Sequence, residues 1–238
     1  MEAVNTPAHK KPARKQADRR DEAEHKILTA AIRLLVEKGY DRFSLAEVGY
    51  AAGYSRALPA HYFGKKEDLL SQVATYLVAT YRESIATSPP LKPGFERIAD
   101  RIRRYSQAYG SRPNRAMSVL IAEARFRPTL RRTITELNQQ AREGWGREVR
   151  AAIEGGGLRP GLNAEAVGAS IFGFLRGQSS FVDLDPGYDM KAATEAFIDN
   201  LKQGVMLAPA SRTSPVKAVK AAATPSKPYK AVKAKLPR

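Results

Sequence analysis

The hydrophobic positions of this chain recur with the period of an α-helix. Between about residue 21 and residue 207, apolar side chains repeat every three or four residues, as on one helix face. Glycines or prolines interrupt the repeat at several points. The pattern predicts an all-α protein of about nine helices. Two of them are short and lie in the stretch from Ser44 to Leu70. The other seven cover about 21–38, 67–87, 94–109, 115–126, 128–154, 163–180 and 190–207.

The stretch from Ser44 to Leu70 predicts two short helices joined by a tight turn at Gly53. Ser44, with Glu47 three residues later, has the spacing of a capping box at the start of the first helix. Ser55 stands where an N-cap of the second helix is expected. Such a pair is either an ordinary helical hairpin or a helix-turn-helix, whose second helix can lie in the major groove of DNA.

The flanks of this pair favour the second interpretation. Upstream stands K-I-L-T-A-A-I-R-L-L-V-E-K-G-Y, and downstream stands F-G-K-K-E-D-L-L. With these flanks, residues 24–72 resemble the N-terminal DNA-binding domain of the TetR family of bacterial transcriptional regulators. The remainder resembles the family in its helix layout. The resemblance implies a three-helix DNA-binding domain over residues 21–68 and a helical ligand-binding and dimerisation domain over residues 69–208.

The exposed side of the second short helix is expected to read the DNA sequence, with Arg56 able to reach a guanine edge or a phosphate. The resemblance implies phosphate contacts from Ser44, Tyr62 and Lys66, and we expect Phe63 to anchor the core of the domain. The predicted DNA-binding residues are Ser44, Ser55, Arg56, Ala57, Leu58, Ala60, His61, Tyr62, Lys65 and Lys66.

Two features depart from the family's usual pattern. Pro59-Ala60 stands where Leu-Tyr is common, so the phosphate contact of that Tyr is lost or supplied elsewhere. Gly49 stands where Ala is usual, which costs helix stability but allows a close approach of a neighbouring segment. These departures affect the expected base contacts and leave the expected fold unchanged.

The resemblance also implies that the last two helices pair with their copies in a second subunit. The alternative is that both are packed inside one subunit. The predicted dimer interface contains Ala169, Gly173, Gly177, Phe197 and Leu201. The candidate pocket residues are aromatic or apolar, which suggests a mainly apolar small-molecule ligand, although such residues also build plain core. They are Tyr105, Met117, Phe126, Trp145 and Phe174.

The chain carries a formal charge of +16, most of it in its two ends. Residues 1–20 hold six Lys/Arg and two Asp/Glu, hence +4, and residues 209–238 hold eight Lys/Arg and no acid, hence +8. Both ends lack bulky apolar residues, so we expect disorder. Their charge favours double-stranded DNA as a partner over an anionic membrane surface, although either end could simply aid solubility.

The composition argues against several other classes of protein. The chain has no Cys, which excludes disulfides and thiolate metal sites. No stretch approaches the roughly 20 apolar residues that span a bilayer, and we see no secretory signal, so a cytoplasmic location is expected. Its three His are scattered, and no nucleophile elbow or dinucleotide fingerprint is present, so we expect no enzyme activity, metal or cofactor.

These features together predict a homodimeric transcriptional regulator of the TetR type. It is expected to repress from a palindromic operator and to be released or modulated by a small molecule. The alternative is an architectural, nucleoid-type protein that binds DNA through its basic ends and has no ligand.

Overall fold

A computed structural model describes residues 14–86, 91–182, 184–185 and 187–206. Within these ranges the chain forms nine helices and no strand, which confirms the all-α prediction. The predictions for residues 1–13 and 209–238 lie outside the described residues. The helices are α1 (Arg14–Lys38), α2 (Leu45–Ala51), α3 (Leu58–Phe63), α4 (Lys66–Ala86), α5 (Phe95–Gln107), α6 (Arg112–Glu123), α7 (Pro128–Glu154), α8 (Ala164–Val182) and α9 (Met190–Val205).

Two clusters of buried side chains hold these helices together. The first joins α1, α2 and α4 to α6 and to the beginning of α7, with Leu35, Leu69 and Leu130 fully buried. The second joins α5, the rest of α7, α8 and α9 around Trp145 and Ile171. Helix α7 therefore contributes to both clusters and connects them. None of the described helices is long and apolar enough to cross a membrane.

Glycines in the left-handed region end the first two helices, as the sequence predicts. Gly39 follows α1 with φ 75°, and Gly53 follows α2 with φ 78°. At the second site the N–H of Gly53 donates to the carbonyl of Tyr50, and the N–H of Tyr54 donates to the carbonyl of Gly49. This pair of bonds is a Schellman motif, which needs a residue that tolerates positive φ.

Three helix starts differ from the predictions. Helix α1 begins at Arg14, so residues 14–20, which were predicted to be disordered, are helical. This segment is rich in residues that favour helix, and the Arg20–Glu24 ion pair stabilises it. Helix α3 has Ala57 rather than Ser55 at its N-cap, and no side chain caps it. Helix α6 begins at Arg112, because Pro113 fits the first turn instead of breaking it.

At Gly49, α2 is in close contact with the backbone of the turn before α3 and with Pro59 of α3. An ideal Cβ built on Gly49 would lie 2.4 Å from the Ser55 carbonyl oxygen, 3.1 Å from Cδ of Pro59 and 3.2 Å from Cα of Arg56. Pro59 is the buried residue of α3, on the side that faces this contact. The short helix thus turns its proline inward against α2, so its opposite side faces outward.

We expect Gly49→Ala to destabilise the protein, although Ala is the better helix former. The added methyl group must displace the backbone at Ser55, and overpacking of this kind costs about 1–3 kcal/mol. The matched control is Gly144→Ala in α7, where the Cβ meets no atom closer than 3.8 Å. That variant should gain about 0.5–1 kcal/mol.

Urea unfolding measures both free energies. If Gly49→Ala were as stable as wild type or more stable, the contact between α2 and α3 would be looser than the structure indicates.

Candidate nucleic-acid interface

The outward side of α3 and of the turn before it carries an arginine, a histidine and small side chains. Arg56, Ala57, Ala60 and His61 are exposed, and Leu58 is half-buried. Ser55 is exposed as well. The sequence-predicted reading residues therefore share one accessible surface, which we call the α3 face. The small side chains lie between the Arg56 guanidinium and the His61 imidazole. They leave room for a duplex to approach the backbone of α3 closely.

Ser44 starts α2, and its hydroxyl is engaged in a capping box. Its Oγ accepts from the N–H of Glu47 at 3.2 Å, and its own N–H donates to the Glu47 carboxylate at 2.8 Å. Lys38 Nζ donates to the other carboxylate oxygen at 2.8 Å. The hydrogen bonds from Lys38 and Ser44 lower the pKa of Glu47 to about 2. The cap role of Ser44 predicted from the sequence is confirmed, and Ser44 remains exposed.

The end of α3 is anchored on α1 rather than free. Tyr62 is half-buried against the first core cluster, and the Arg20 guanidinium lies 5.5 Å from the centre of its ring. Phe63 is also only partly buried and packs on the same cluster, while Pro59 is the fully buried residue of α3. The predicted anchor role of Phe63 is therefore shared with Pro59.

The two lysines at the start of α4, Lys65 just before it and Lys66 as its first residue, differ in exposure. Lys65 is exposed, and its backbone N–H donates to the Asp68 carboxylate at 3.3 Å. Lys66 is half-buried: its Nζ donates to the Phe43 carbonyl and lies 4.1 Å from the Phe43 ring centre and 5.1 Å from that of Tyr40. Burial lowers the pKa of Lys66. Lys65 is thus the cation presented to solvent, while Lys66 ties α4 to the loop before α2.

A second tie joins the first turn of α4 to the start of α7. The Glu67 carboxylate accepts from the N–H of Thr129 at 2.8 Å and from that of Leu130 at 3.2 Å. These amides belong to the first turn of α7, where helix N–H groups lack intrahelical partners and favour a negative charge. Arg127 adds an ion pair of 2.8 Å to Asp41. The helices next to the α3 face are therefore fixed to α7.

Two cavities lie beside α4, α5 and α8. The smaller, of about 220 Å³, is also lined by α6 residues, and the larger, of about 670 Å³, by α7 residues. Of the predicted pocket residues, Tyr105 lines both, Met117 the smaller and Trp145 the larger. Phe126 is 80% exposed, and Phe174 stacks on Phe197 at 3.8 Å. The structure brings three of the five candidates to the cavities and places Phe126 and Phe174 elsewhere.

The larger cavity has a cationic lining that the sequence-based candidates did not include. Its lining residues contain five arginines, contributed by α4, α5, α7 and α8. A sequence signal existed for part of this set: Arg97, Arg101 and Tyr105 are four residues apart and so share one face of α5. The others could not be found by spacing, because they come together only when the helices pack.

The predicted dimer residues of α8 lie on an outward face. Gly173 and Gly177 are exposed, and a Cβ built on either would meet no atom within 4 Å. Ala169, Phe197 and Leu201 are half-buried. By contrast, a Cβ on Gly168 would lie 2.5 Å from the backbone nitrogen of Gly146 in α7. Helix α8 therefore packs closely on α7 by one side and leaves a smooth side uncovered.

Residues 27–73 match the model of the bacterial regulatory proteins of the tetR family. The N-terminal domain therefore resembles the DNA-binding domain of that family. The resemblance predicted from the flanks of the helix pair is thus confirmed. The match includes α2, α3 and the first turns of α4, which together carry the α3 face.

Two curated regulators share parts of this chain. This chain is 41% identical to the HTH-type transcriptional regulator CymR of Pseudomonas putida over 81 residues. Those residues make up 34% of this chain and 40% of that protein. Over 141 residues this chain is 24% identical to the HTH-type regulator HbdR of Aromatoleum sp. (strain CIB), covering 59% and 62% of the two chains. The chain therefore spans less than two thirds of either relative.

Solved structures share the fold over a longer range. FadR from Bacillus subtilis, crystallised with stearoyl-CoA, superposes with a TM-score of 0.62 at 22% identity, over 76% of this chain and 98% of that one. A TetR-family regulator from Rhodococcus sp., described as putative, gives 0.64 at 15% identity, over 77% and 98%. Among the residues described here, no group of three or more His, Cys, Asp or Glu is placed to hold a metal ion.

We expect the capping box to make stability depend on pH through Glu47. The pKa of Glu47 is lower in the folded protein than its ordinary value of 4.5. The Glu47 carboxylate therefore makes its full contribution to the free energy of unfolding above about pH 4.5. That contribution is lost as the pH falls towards 2. Urea unfolding of wild type and Glu47→Gln should therefore differ most at pH 6 and least near pH 2.5.

The control is Glu136→Gln in α7, since that carboxylate is exposed and 4.0 Å from its partner Arg132. A difference between wild type and Glu47→Gln that stayed constant with pH would contradict the capping geometry.

Proposed function

We propose that the protein is a DNA-binding transcriptional regulator that represses from a palindromic operator as a homodimer. The observation that carries this proposal is the α3 face. Arg56 and His61 are exposed on it, and the buried Pro59 and the close contact at Gly49 hold its direction. An ordinary core hairpin would instead bury the outward side of the second helix as well. The match of residues 27–73 to the TetR family supports the same conclusion.

The homodimer is supported by the smooth side of α8. A six-residue recognition helix makes few base contacts alone, and twofold dimers that read two half-sites about 34–36 Å apart supply the rest. Gly173 and Gly177 let a second helix approach closely, because neither carries a side chain and no atom of the described residues occupies the space above them. The same face on two copies is self-complementary, as a twofold interface requires.

Regulation by a small molecule has a physical route through α7. The larger cavity is lined by α7 residues, including Trp145, and the first turn of α7 is capped by Glu67 at the start of α4. A ligand that favours a different position of α7 would shift α4 and hence the α3 face. Ligand affinity and DNA affinity would then be coupled reciprocally.

Binding-site selection with the purified full chain tests the proposal. We expect one enriched palindrome that persists at raised salt. In Arg56→Ala the affinity for it should fall about tenfold or more, with relaxed preference at one position of each half-site. Arg132→Ala, which removes a side chain 77% exposed on α7, is the control and should bind as wild type.

A selection without a consensus, together with affinity that disappears at raised salt, would refute the regulator and favour an architectural protein that acts through its basic ends.

The dimer proposal predicts a specific effect of bulk on α8. Gly173→Leu should leave the fold intact, because no described atom lies within 4 Å of the new Cβ, but it should dissociate the dimer. Analytical ultracentrifugation measures the mass, and circular dichroism reports the helix content. Arg132→Leu adds similar apolar bulk on α7 and should stay dimeric. A fully dimeric Gly173→Leu protein would place the interface elsewhere.

A further inference from the structure

The two cavities adjoin each other, and we call them the smaller and the larger branch of one candidate site. They share Val78, Tyr81, Tyr105 and Arg176 in their linings. The smaller branch adds Leu77 of α4, Pro113 and Met117 of α6, Ala108 and four uncharged polar residues. The larger branch adds most of the charge. A ligand that fills both branches would place an apolar body in one and a polar group in the other.

Positive charge exceeds negative charge in the larger branch. Its lining contains five arginines but a single carboxylate, that of Glu148. Glu148 pairs with Arg97 and lies 3.7 Å from Arg101. The arginines in the lining are Arg82, Arg97, Arg101, Arg147 and Arg176.

The carboxylates available to these arginines do not neutralise all of them. Arg147 lies 4.0 Å from Glu143, outside the lining. Arg82 and Arg176 donate to the amide oxygens of Gln140 and Asn138, at 2.9 and 3.1 Å, which carry no charge. The branch therefore keeps a net positive charge that an anion would neutralise.

Two of these guanidinium groups also have unused donors. Nε of Arg101 and Nε of Arg176 are buried and have no hydrogen-bond partner among the described residues. These two nitrogens have almost no accessible surface, so a ligand in the cavity would meet the terminal nitrogens of the guanidinium groups instead. Burial raises the pKa of Tyr81, so its hydroxyl in the same space keeps its proton.

Aromatic rings hold both guanidinium groups in place. The Arg101 guanidinium carbon lies 4.3 Å from the centre of the Trp145 ring, and that of Arg176 lies 5.0 Å from the Phe172 ring. Stacking occupies the face of a guanidinium and leaves its N–H groups to other partners. One terminal nitrogen of Arg101 lies near Glu148, and one of Arg176 donates to Asn138. The other terminal nitrogen of each group can donate to one oxygen of a carboxylate.

We propose that this space binds a carboxylic acid with an apolar aliphatic or aromatic body. Arg101 and Arg176 hold the carboxylate, and Leu77 and Met117 in the smaller branch receive the apolar body. The ligand is thus an amphipathic anion rather than a purely apolar molecule. The binding site stands on its own geometry, and only its effect on DNA rests on the proposed function.

Isothermal titration calorimetry with matched acid and amide probes tests this assignment. The probes are octanoate with octanamide and 4-phenylbutyrate with 4-phenylbutyramide, since each amide keeps the shape and loses the charge. We expect at least one acid to bind at least about tenfold more tightly than its amide, given the strength of charged hydrogen bonds. The pair that shows the difference identifies an aliphatic or an aromatic body.

Variants of Arg101 and Arg176 distinguish specific binding of the carboxylate from nonspecific binding of an apolar molecule. Arg101→Gln and Arg176→Gln should each weaken acid binding about tenfold and leave amide binding unchanged. Arg101→Lys keeps the charge and should fall between wild type and Arg101→Gln. Arg132→Gln, on the exposed side of α7, is the control and should bind as wild type. Thermal unfolding without ligand identifies any variant that fails to fold, and the remaining variants then decide.

Equal binding of acid and amide, unchanged acid binding in both Gln variants, or no binding of either acid at millimolar concentration would overturn the proposal. DNA binding is measured separately by fluorescence anisotropy on the selected palindrome. Acid binding without any change in DNA affinity would leave the anion site in place and refute its proposed role in regulation.

Discussion

The close contact between α2 and α3 at Gly49 is the constraint on which the rest of the interface depends. Because Gly49 has no side chain, the turn before α3 and the Pro59 ring pack directly on α2, and Pro59 faces inward. A helix of six residues has little stability of its own, so this contact and the Schellman turn at Gly53 define its position. Arg56 and His61 are exposed as a consequence.

A chain of polar contacts connects this region to the cavities. Lys66 ties α4 to Phe43, the adjacent Glu67 caps α7, and α7 extends to Trp145 in the cavity lining. Each contact is short and directional, whereas apolar packing would tolerate sliding. The proposed coupling between ligand and DNA thus has a continuous structural route. It runs from the cavity lining along α7 to Glu67, which lies two residues after the exposed Lys65.

Local features of the sequence predicted most of the helices, because a 3.6-residue apolar period, a capping box and glycines past helix ends are encoded within a few residues. Helix α7 was predicted at its observed bounds, Pro128 to Glu154. Features that depend on distant segments were not predictable: the inward turn of Lys66, the exposure of Phe126, and the arginine-lined cavity built from four helices. The early start of α1 was missed because composition suggested disorder, although helix formers and i, i+4 pairs were present.

The central claim is that the α3 face enters the major groove of DNA. A crystal structure of the full chain with its selected duplex tests this most directly. The account predicts two copies with their α3 helices in successive major grooves about 34–36 Å apart, and with Arg56 or His61 within hydrogen-bond distance of base edges. A complex in which α3 faces away from the duplex, while other surfaces hold the DNA, would contradict it.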